Sequence, residues 1–414
     1  MTLPFSTSLA LRQLRHNDPG LIATFAGVCV VVVLVFIQLG FKNAVTDSVL
    51  NFARALDADI VMSGPSFETV ADTPPSFARA LVYQARDVAG VSSAMPVYVR
   101  MSQSSMTEGG SPLAVRIIGF SATDGVLKVP GLQRQLARLR PLYTALLDAR
   151  SRGRFADRVQ EIHQGEIPRI YLRNAIRPDG MFELKRDAQA GADDGAADAI
   201  ASHVDMIGTF RLGPDFTFPG NLIVSDLTFF RLFEQSADRV SLGLVKIVPG
   251  ANAGRVRDEL ARRMRGSAQV WLKDDFVEAE RGYFAHRTPV GIVTTFGILV
   301  GILIGVVFVL EVLRGITESN LALYAALRAA GYGTGFFLAL MMQLALFVAV
   351  AAFATSLAIT IVLYEMLERI TQLTFSMTAS TAASVLLATL AMSILAAALA
   401  ARRLPQGDPI DLFA

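Results

Sequence analysis

One thiol, Cys29, is all that this chain of 414 residues possesses. A lone cysteine excludes an internal disulfide, and this one stands inside an apolar run, where a thiol behaves as a small inert hydrophobe. The redox compartment is therefore left open. Charge is also scarce: 18% of residues are charged, against roughly 25% in an ordinary soluble chain, while 52% are hydrophobic. With a mean hydropathy of +0.45, this composition argues against a soluble or disordered chain. The 38 Lys and Arg nearly cancel the 36 Asp and Glu, leaving +2 and no basic excess to hold a polyphosphate, so nucleic acid is set aside as a partner. No G-x-x-x-x-G-K-[ST] stretch occurs, hence no loop to cradle nucleotide phosphates. His16, His163, His203 and His286 lie far apart, with no H-E-x-x-H or paired-cysteine spacing, which leaves a metal without ligands. His203-x-Asp205 is too weak a pattern to use. No G-x-S-x-G elbow is present, and a Ser-His-Asp set drawn from distant residues stays a minor alternative. Catalytic, cofactor and metal residues are accordingly expected to be absent.

What the chain does have is four long apolar blocks, each able to cross about 30 Å of hydrocarbon. The spans expected are 21–41, 290–313, 336–364 and 379–401. The first begins after the Asp18-Pro19-Gly20 break and is too long for the apolar region of a signal peptide, so it is read as a retained helix. Gly27, Gly40, Gly297, Gly301 and Gly305 supply small residues where membrane helices can approach closely, and Gln38 and Gln343 can bond across helices. Glu311, near the inner end of the second span, lies three residues before Arg314 and is read as half of an intrahelical pair. Arg12 and Arg15 before the first span, Arg314 and Arg328 after the second, and Arg402 and Arg403 after the fourth place segments 1–20, 314–335 and 402–414 in the cytoplasm. The loop 365–378 and the segment 42–289 then lie outside, and both termini inside.

Residues 42–289 alternate short β-rich runs with amphipathic stretches, which predicts an α+β domain inserted between the first two of four membrane helices. Strands are expected at Ala58–Met62, Met95–Ser102, Leu113–Phe120, Val204–Arg211, Asn221–Val224, Ser241–Val248 and Ala268–Leu272. Helices are expected from Pro74 to Val88, from Leu132 to Leu147 and from Asn252 to Met264. Residues 185–202, mostly Ala, Asp and Gly, read as a mobile loop. A run of basic residues from Lys128 to Arg158, including Arg134, Arg138, Arg140, Arg150, Arg152 and Arg154, reads chiefly as a solvated face interleaved with Asp148, Asp157 and Glu161, and otherwise as a surface for anionic lipid or an acidic partner.

One helix, a large domain, then three more helices resembles the topology of ABC transporter permeases of the MacB/FtsX-like superfamily. Within it the chain is similar to DevC-type exporter permeases along nearly its whole length. Leu9-Ala10-Leu11-Arg12-Gln13-Leu14 resembles that family's cytoplasmic amphipathic helix, Gln38-Leu39-Gly40-Phe41 the exit of its first span, and Thr288-Pro289-Val290-Gly291 the start of its second. The most specific segment, Leu321 to Tyr332, resembles its cytoplasmic coupling helix. Leu321, Tyr324, Leu327 and Arg328 fall on one helical face, Ser319 is placed to cap the start, and Gly331 to end it. The resemblance implies an ATPase-coupling interface of Glu318, Leu321, Leu323, Tyr324, Leu327, Arg328, Gly331 and Tyr332, with Tyr324 and Leu327 projecting into a groove of the ATPase. Leu323 stands where the family usually carries a glutamate, so a charged contact to the ATPase is expected either to be missing or to move to Glu318. An interfacial helix resting on lipid is the alternative. The resemblance further implies a non-enzymatic permease of the bacterial inner membrane with a periplasmic domain. ATP would be bound by a separate ABC ATPase subunit. A second copy of the chain, a periplasmic membrane-fusion adaptor with an outer-membrane duct, and membrane lipid complete the expected partners. An FtsX-like regulator of a cell-wall hydrolase and a lipoprotein-releasing permease are the rival readings.

Overall fold

The computed structural model describes residues 19–107, 110–173, 202–213, 215–233 and 236–403. Most of the segments 1–20 and 402–414, and all of the loop 185–202 except Ser202, fall outside them. Two units are present, one formed by residues up to Ala44 and from Thr288 onward, the other by Val45–Arg287.

The first unit is helical, and it contains the apolar parts of four helices long and apolar enough to cross a membrane. Helix α1 runs Pro19–Ala55, α8 Pro289–Ser319, α10 Thr334–Thr371 and α11 Ala379–Arg403. In hydrocarbon a backbone can satisfy its N–H and C=O groups only within its own segment, so an unbroken apolar run must be helical in spite of the β-branched stretch Val30–Val33. Pro19 opens α1 where a missing N–H costs nothing, and Thr288 caps α8 by accepting from the Gly291 amide at 3.2 Å, with Pro289 next. The five glycines occupy points of close approach. A Cβ on Gly27 would meet Phe308, on Gly40 Tyr364, on Gly297 Gln38, on Gly301 Val35, and on Gly305 Met392 and Val31. The partners of Gly297, Gly301 and Gly305 thus step backwards along α1, as two antiparallel helices in contact require. Several hydroxyls within the helices go to backbone carbonyls: Ser356 Oγ donates to Cys29 O at 3.0 Å, Tyr364 Oη to Phe36 O at 2.6 Å and Thr360 Oγ1 to Ser356 O at 2.7 Å.

Helix α1 outlasts its apolar block by more than three turns, because hydropathy marks where hydrocarbon ends and not where a helix ends. From Val45 it belongs to the second unit, where Val49, Phe52, Ala53 and Leu56 are buried at helical spacing.

That second unit is a mixed α/β domain. Its strands are β1 (Ile60–Ser63), β2 (Phe77–Ala78), β3 (Val91–Ser105), β4 (Leu113–Phe120), β5 (Thr144–Asp148), β6 (Arg169–Arg173), β7 (Ser202–Phe210), β8 (Gly220–Ser225), β9 (Arg239–Val240), β10 (Leu242–Ile247) and β11 (Gln269–Leu272). Nine form one sheet in the order β11-β1-β10-β3-β4-β8-β5-β7-β6, while β2 and β9 pair separately. The long β3 serves two neighbourhoods: Val91–Val97 pairs with β10, Tyr98–Ser104 with β4, and its last residues pair back onto β6. Pairs β4–β8 and β5–β7 are parallel. Helices α2 (Arg79–Gln84), α3 (Leu132–Gln135), α4 (Arg154–His163), α5 (Asp226–Phe233), α6 (Ala253–Arg263) and α7 (Lys273–His286) complete it. Both sheet faces are covered, so alternate residues enter two cores: Val115 and Ile117 with Phe229 on one side, Ile118 and Phe120 with Phe52 and Phe276 on the other.

All seven expected strands are present, and Asn252 caps α6 by accepting from Arg255 N at 3.1 Å. Two helix expectations are corrected. Leu132–Leu147 breaks after a short helical start, Tyr143 turns with φ +58°, and Thr144–Asp148 becomes the buried strand β5. A short apolar run has no periodicity to separate strand from helix. In Pro74–Val88, Phe77 pairs with Val240, so the helix starts only at Arg79.

Glycine substitutions should separate these environments. In the full chain in detergent, Gly40→Ala should lower the unfolding midpoint by the equivalent of about 1–3 kcal/mol, because the new methyl group would overlap the Tyr364 hydroxyl. Gly282→Ala, in mid-α7 with open space around it, should raise the midpoint by about 0.5–1 kcal/mol. Opposite signs would refute this packing.

Candidate functional site

The expected coupling segment starts where α8 ends. Glu311 and Arg314 form an ion pair at 2.8 Å, both partly exposed, which spends the carboxylate nearest the end of the apolar run. Val312, Leu313 and Ile316 are buried, and Glu318 is exposed. Ser319 does not cap the next helix: its hydroxyl donates to Ile316 O at 3.0 Å. Asn320 takes the cap position with φ −120° and ψ +19°, and its own amide turns back to Ile316 O at 2.8 Å. Helix α9 (Leu321–Ala329) follows at once. Its end is built as expected on Gly331, whose φ of +92° suits glycine. The Gly331 amide donates to Arg328 O at 3.0 Å and the Tyr332 amide to Leu327 O at 3.2 Å, the paired bonds of a Schellman motif.

The orientation of α9 corrects the expectation. Tyr324 is buried, with its ring edge-on to Phe337 at 5.9 Å, and Leu327 packs against the same cluster. These two side chains seat α9 on its own bundle. The exposed positions include Leu323, Ala326, Arg328 and Tyr332, the last packed beside Phe336 at 4.6 Å. The Leu321 side chain lies outside the described residues. The strongest apolar stripe in a short helix marks the face with most to bury, and in α9 that face is claimed by the chain itself.

A second cluster, one the sequence reading missed, lies inside the α/β domain. Arg116 on β4 has no solvent exposure. Its guanidinium sits 4.7 Å from the Phe218 ring and 5.3 Å from Phe52, pairs with Asp215 at 2.7 Å, and reaches Asn221 Oδ1 at 3.4 Å. Asp148 accepts from the amides of Arg150, Leu212 and Gly213 at 3.1–3.2 Å and from Asn221 Nδ2 at 3.4 Å. Burial nevertheless pushes its carboxyl up to about 6. Glu280 on α7, also buried, accepts from Thr69 Oγ1 at 2.8 Å and Val70 N at 2.9 Å. Burial pushes it up to about 7, against the pull of those two donors and of the Arg116 charge. Sequence signals for both existed: Arg116 alternates with Ile118 and Phe120 on one strand face, and Glu280 stands four residues from both Phe276 and Phe284.

The basic run does not form one free face. Arg152 is turned to the carbonyls of Asp215 and Phe216, Arg158 to Glu161 at 2.7 Å, and Arg138 to Gln135 at 3.0 Å. Among the described residues no group of three His, Cys, Asp or Glu is placed to hold a metal ion. His203 lies between the rings of Tyr143 and Tyr171, at 6.5 and 6.3 Å.

No family model matches the chain, and no curated protein matches it. Similar solved structures include the periplasmic region of MacB from Actinobacillus actinomycetemcomitans, at TM-score 0.31 and 10% identity, covering 53% of this chain and 92% of that one. Another is the extracellular domain of the noncanonic ABC-type transporter YknZ from Gram-positive bacteria, at TM-score 0.31 and 13% identity, covering 51% and 98%.

Two outcomes follow. Tyr324→Ala should destabilise the helical unit by about 3–5 kcal/mol, as loss of a buried aromatic does, while Leu323→Ala should cost under about 1 kcal/mol, both read as unfolding midpoints. Because the folded-state value of Glu280 lies above its ordinary 4.5, the domain should be most stable below that pH and lose stability as pH rises through about 7. The loss is on the order of 3 kcal/mol, and Glu280→Gln should remove that part of the slope.

Proposed function

We propose that the chain is the transmembrane permease subunit of an ABC-type exporter that works by mechanotransmission. The observation that carries this reading is α9, a short helix ended by a Schellman turn, seated by Tyr324 on its own bundle and presenting Leu323, Ala326, Arg328 and Tyr332 outward. Such a helix, joining two long apolar ones, is suited to take a push from a partner and pass it on as a rigid body. The chain itself lacks a phosphate-binding loop, so ATP hydrolysis is assigned to a separate ABC ATPase subunit. The polar groups within the apolar helices supply a further reason. Ser356, Thr360 and Tyr364 are spent on helix carbonyls, which leaves little to line a conduit and favours work done by the α/β domain over threading cargo between helices.

In this reading the protein lies in a bacterial inner membrane, with both termini cytoplasmic and the α/β domain periplasmic. A second copy completes the permease, and a membrane-fusion adaptor leads to an outer-membrane duct. The coupling interface is reassigned to the outward residues Leu323, Arg328 and Tyr332, with Glu318 and Gly331 at its margins. Tyr324 and Leu327 become the residues that position it.

A reporter fused after Ala414 should be cytoplasmic and one inserted at Gly195 external. An external C-terminus would overturn the four-span topology. Leu323→Asp should lower recovery of the co-purifying ATPase about tenfold at matched expression, together with transport, while membrane insertion is unchanged. Normal recovery and transport would mean that α9 merely rests on lipid. Wall or septation defects with intact export, on deleting the gene, would instead favour the hydrolase regulator.

A further inference from the structure

Glu280 has no part in the coupling helix, yet it is the most costly carboxylate to place in the α/β domain. Its two oxygens each receive one donor from the loop of residues 64–76, the Thr69 hydroxyl and the Val70 amide. Both donors favour the anion, and burial opposes it. The Thr69 oxygen is already an acceptor for the Ala71 amide at 3.0 Å, so it meets Glu280 as a donor. A proton on the carboxyl removes the negative charge that both donors meet and so weakens the Thr69 and Val70 bonds. Across the core, the Nε and Nη2 of Arg116 have no hydrogen-bond partner among the described residues, and the Arg116 charge acts on Glu280. The other charged or titratable groups nearby are Glu68 and Asp72 from the same loop, both acting on Tyr283 of α7, and Arg287, 3.8 Å from Glu68. Asp215 and then Asp148 lie behind Arg116, on the Asn221 side.

We propose that Glu280 is a proton-operated latch on the loop 64–76. Ionised, it holds the loop through Thr69 and Val70 and draws the unpartnered N–H groups of Arg116. Protonated, it holds Thr69 and Val70 only through weaker, neutral hydrogen bonds and loses the attraction of Arg116, and the loop loosens from α7. The transfer is a single proton exchanged with solvent at a carboxyl oxygen. The inference does not rest on the permease reading.

The chain carries its own reporter. Trp271 is its single tryptophan; the indole donates to Ser63 Oγ at 3.0 Å and lies edge-on to Phe276 at 6.5 Å, and its neighbour Gln269 donates to Pro65 O at 2.7 Å, at the root of the loop. The full chain in lipid nanodiscs should therefore show a reversible, one-proton change in tryptophan emission centred near pH 7. Glu280→Gln should abolish it. His286→Gln, which removes the imidazole at the end of the same helix, should leave it intact. Thr69→Val, which removes one donor to the anion, should move the midpoint up by about one pH unit, and this arm tests the latch even if Glu280→Gln fails to fold. Flat wild-type emission between about pH 5.5 and 8.5, a transition that survives Glu280→Gln, or a midpoint unmoved by Thr69→Val would overturn the proposal.

Discussion

A guanidinium wholly removed from water is the constraint around which the α/β domain is organised. Arg116 cannot shed its proton, so its surroundings must make the charge tolerable. Phe52 from α1 and Phe218 offer ring faces, Asp215 a countercharge at 2.7 Å, and Asn221 an amide oxygen that also ties the group to Asp148. These partners come from two stretches of chain, Phe52 in α1 and residues 215–221, and removing either strands a charge that the other was placed to hold. Two more carboxyls, Asp148 and Glu280, are buried in the same domain, and loss of solvation raises their proton affinities toward neutrality. The domain's packing is thereby linked to pH through residues that touch no solvent.

In the helical unit the corresponding constraint is close approach. Gly297, Gly301 and Gly305 let α8 meet Gln38, Val35 and Val31 of α1, and Gly40 leaves room for the Tyr364 hydroxyl to reach Phe36 O. Without a hydrophobic drive between helices in lipid, such contacts and a few interhelical hydrogen bonds must hold the bundle. Helix α9 follows the same economy, giving its best apolar side chains, Tyr324 and Leu327, to the bundle and leaving a surface of small and mixed residues outside. A partner docking there would meet a preformed, backbone-capped helix and would not have to order one.

The sequence by itself determined the class of fold. Four apolar blocks of this length are satisfied in hydrocarbon as helices, and β-rich runs such as Leu113–Phe120, bounded by turn residues, read as strands. The glycine contacts, the Glu311–Arg314 pair and the Gly331 turn were equally legible, because each depends on neighbours a few residues away or on size alone. Tertiary structure decided the rest. Whether Leu132–Leu147 is helix or strand depended on a place beside β7 and β8, and the length of α1 on a core waiting for Phe52 and Leu56. The direction in which Tyr324 points depended on Phe337, and the pairing of Arg116 with Asp215 on a hundred residues of intervening chain. Local spacing encodes what a segment can become, but which of its faces is buried is set by what the remainder of the chain brings against it.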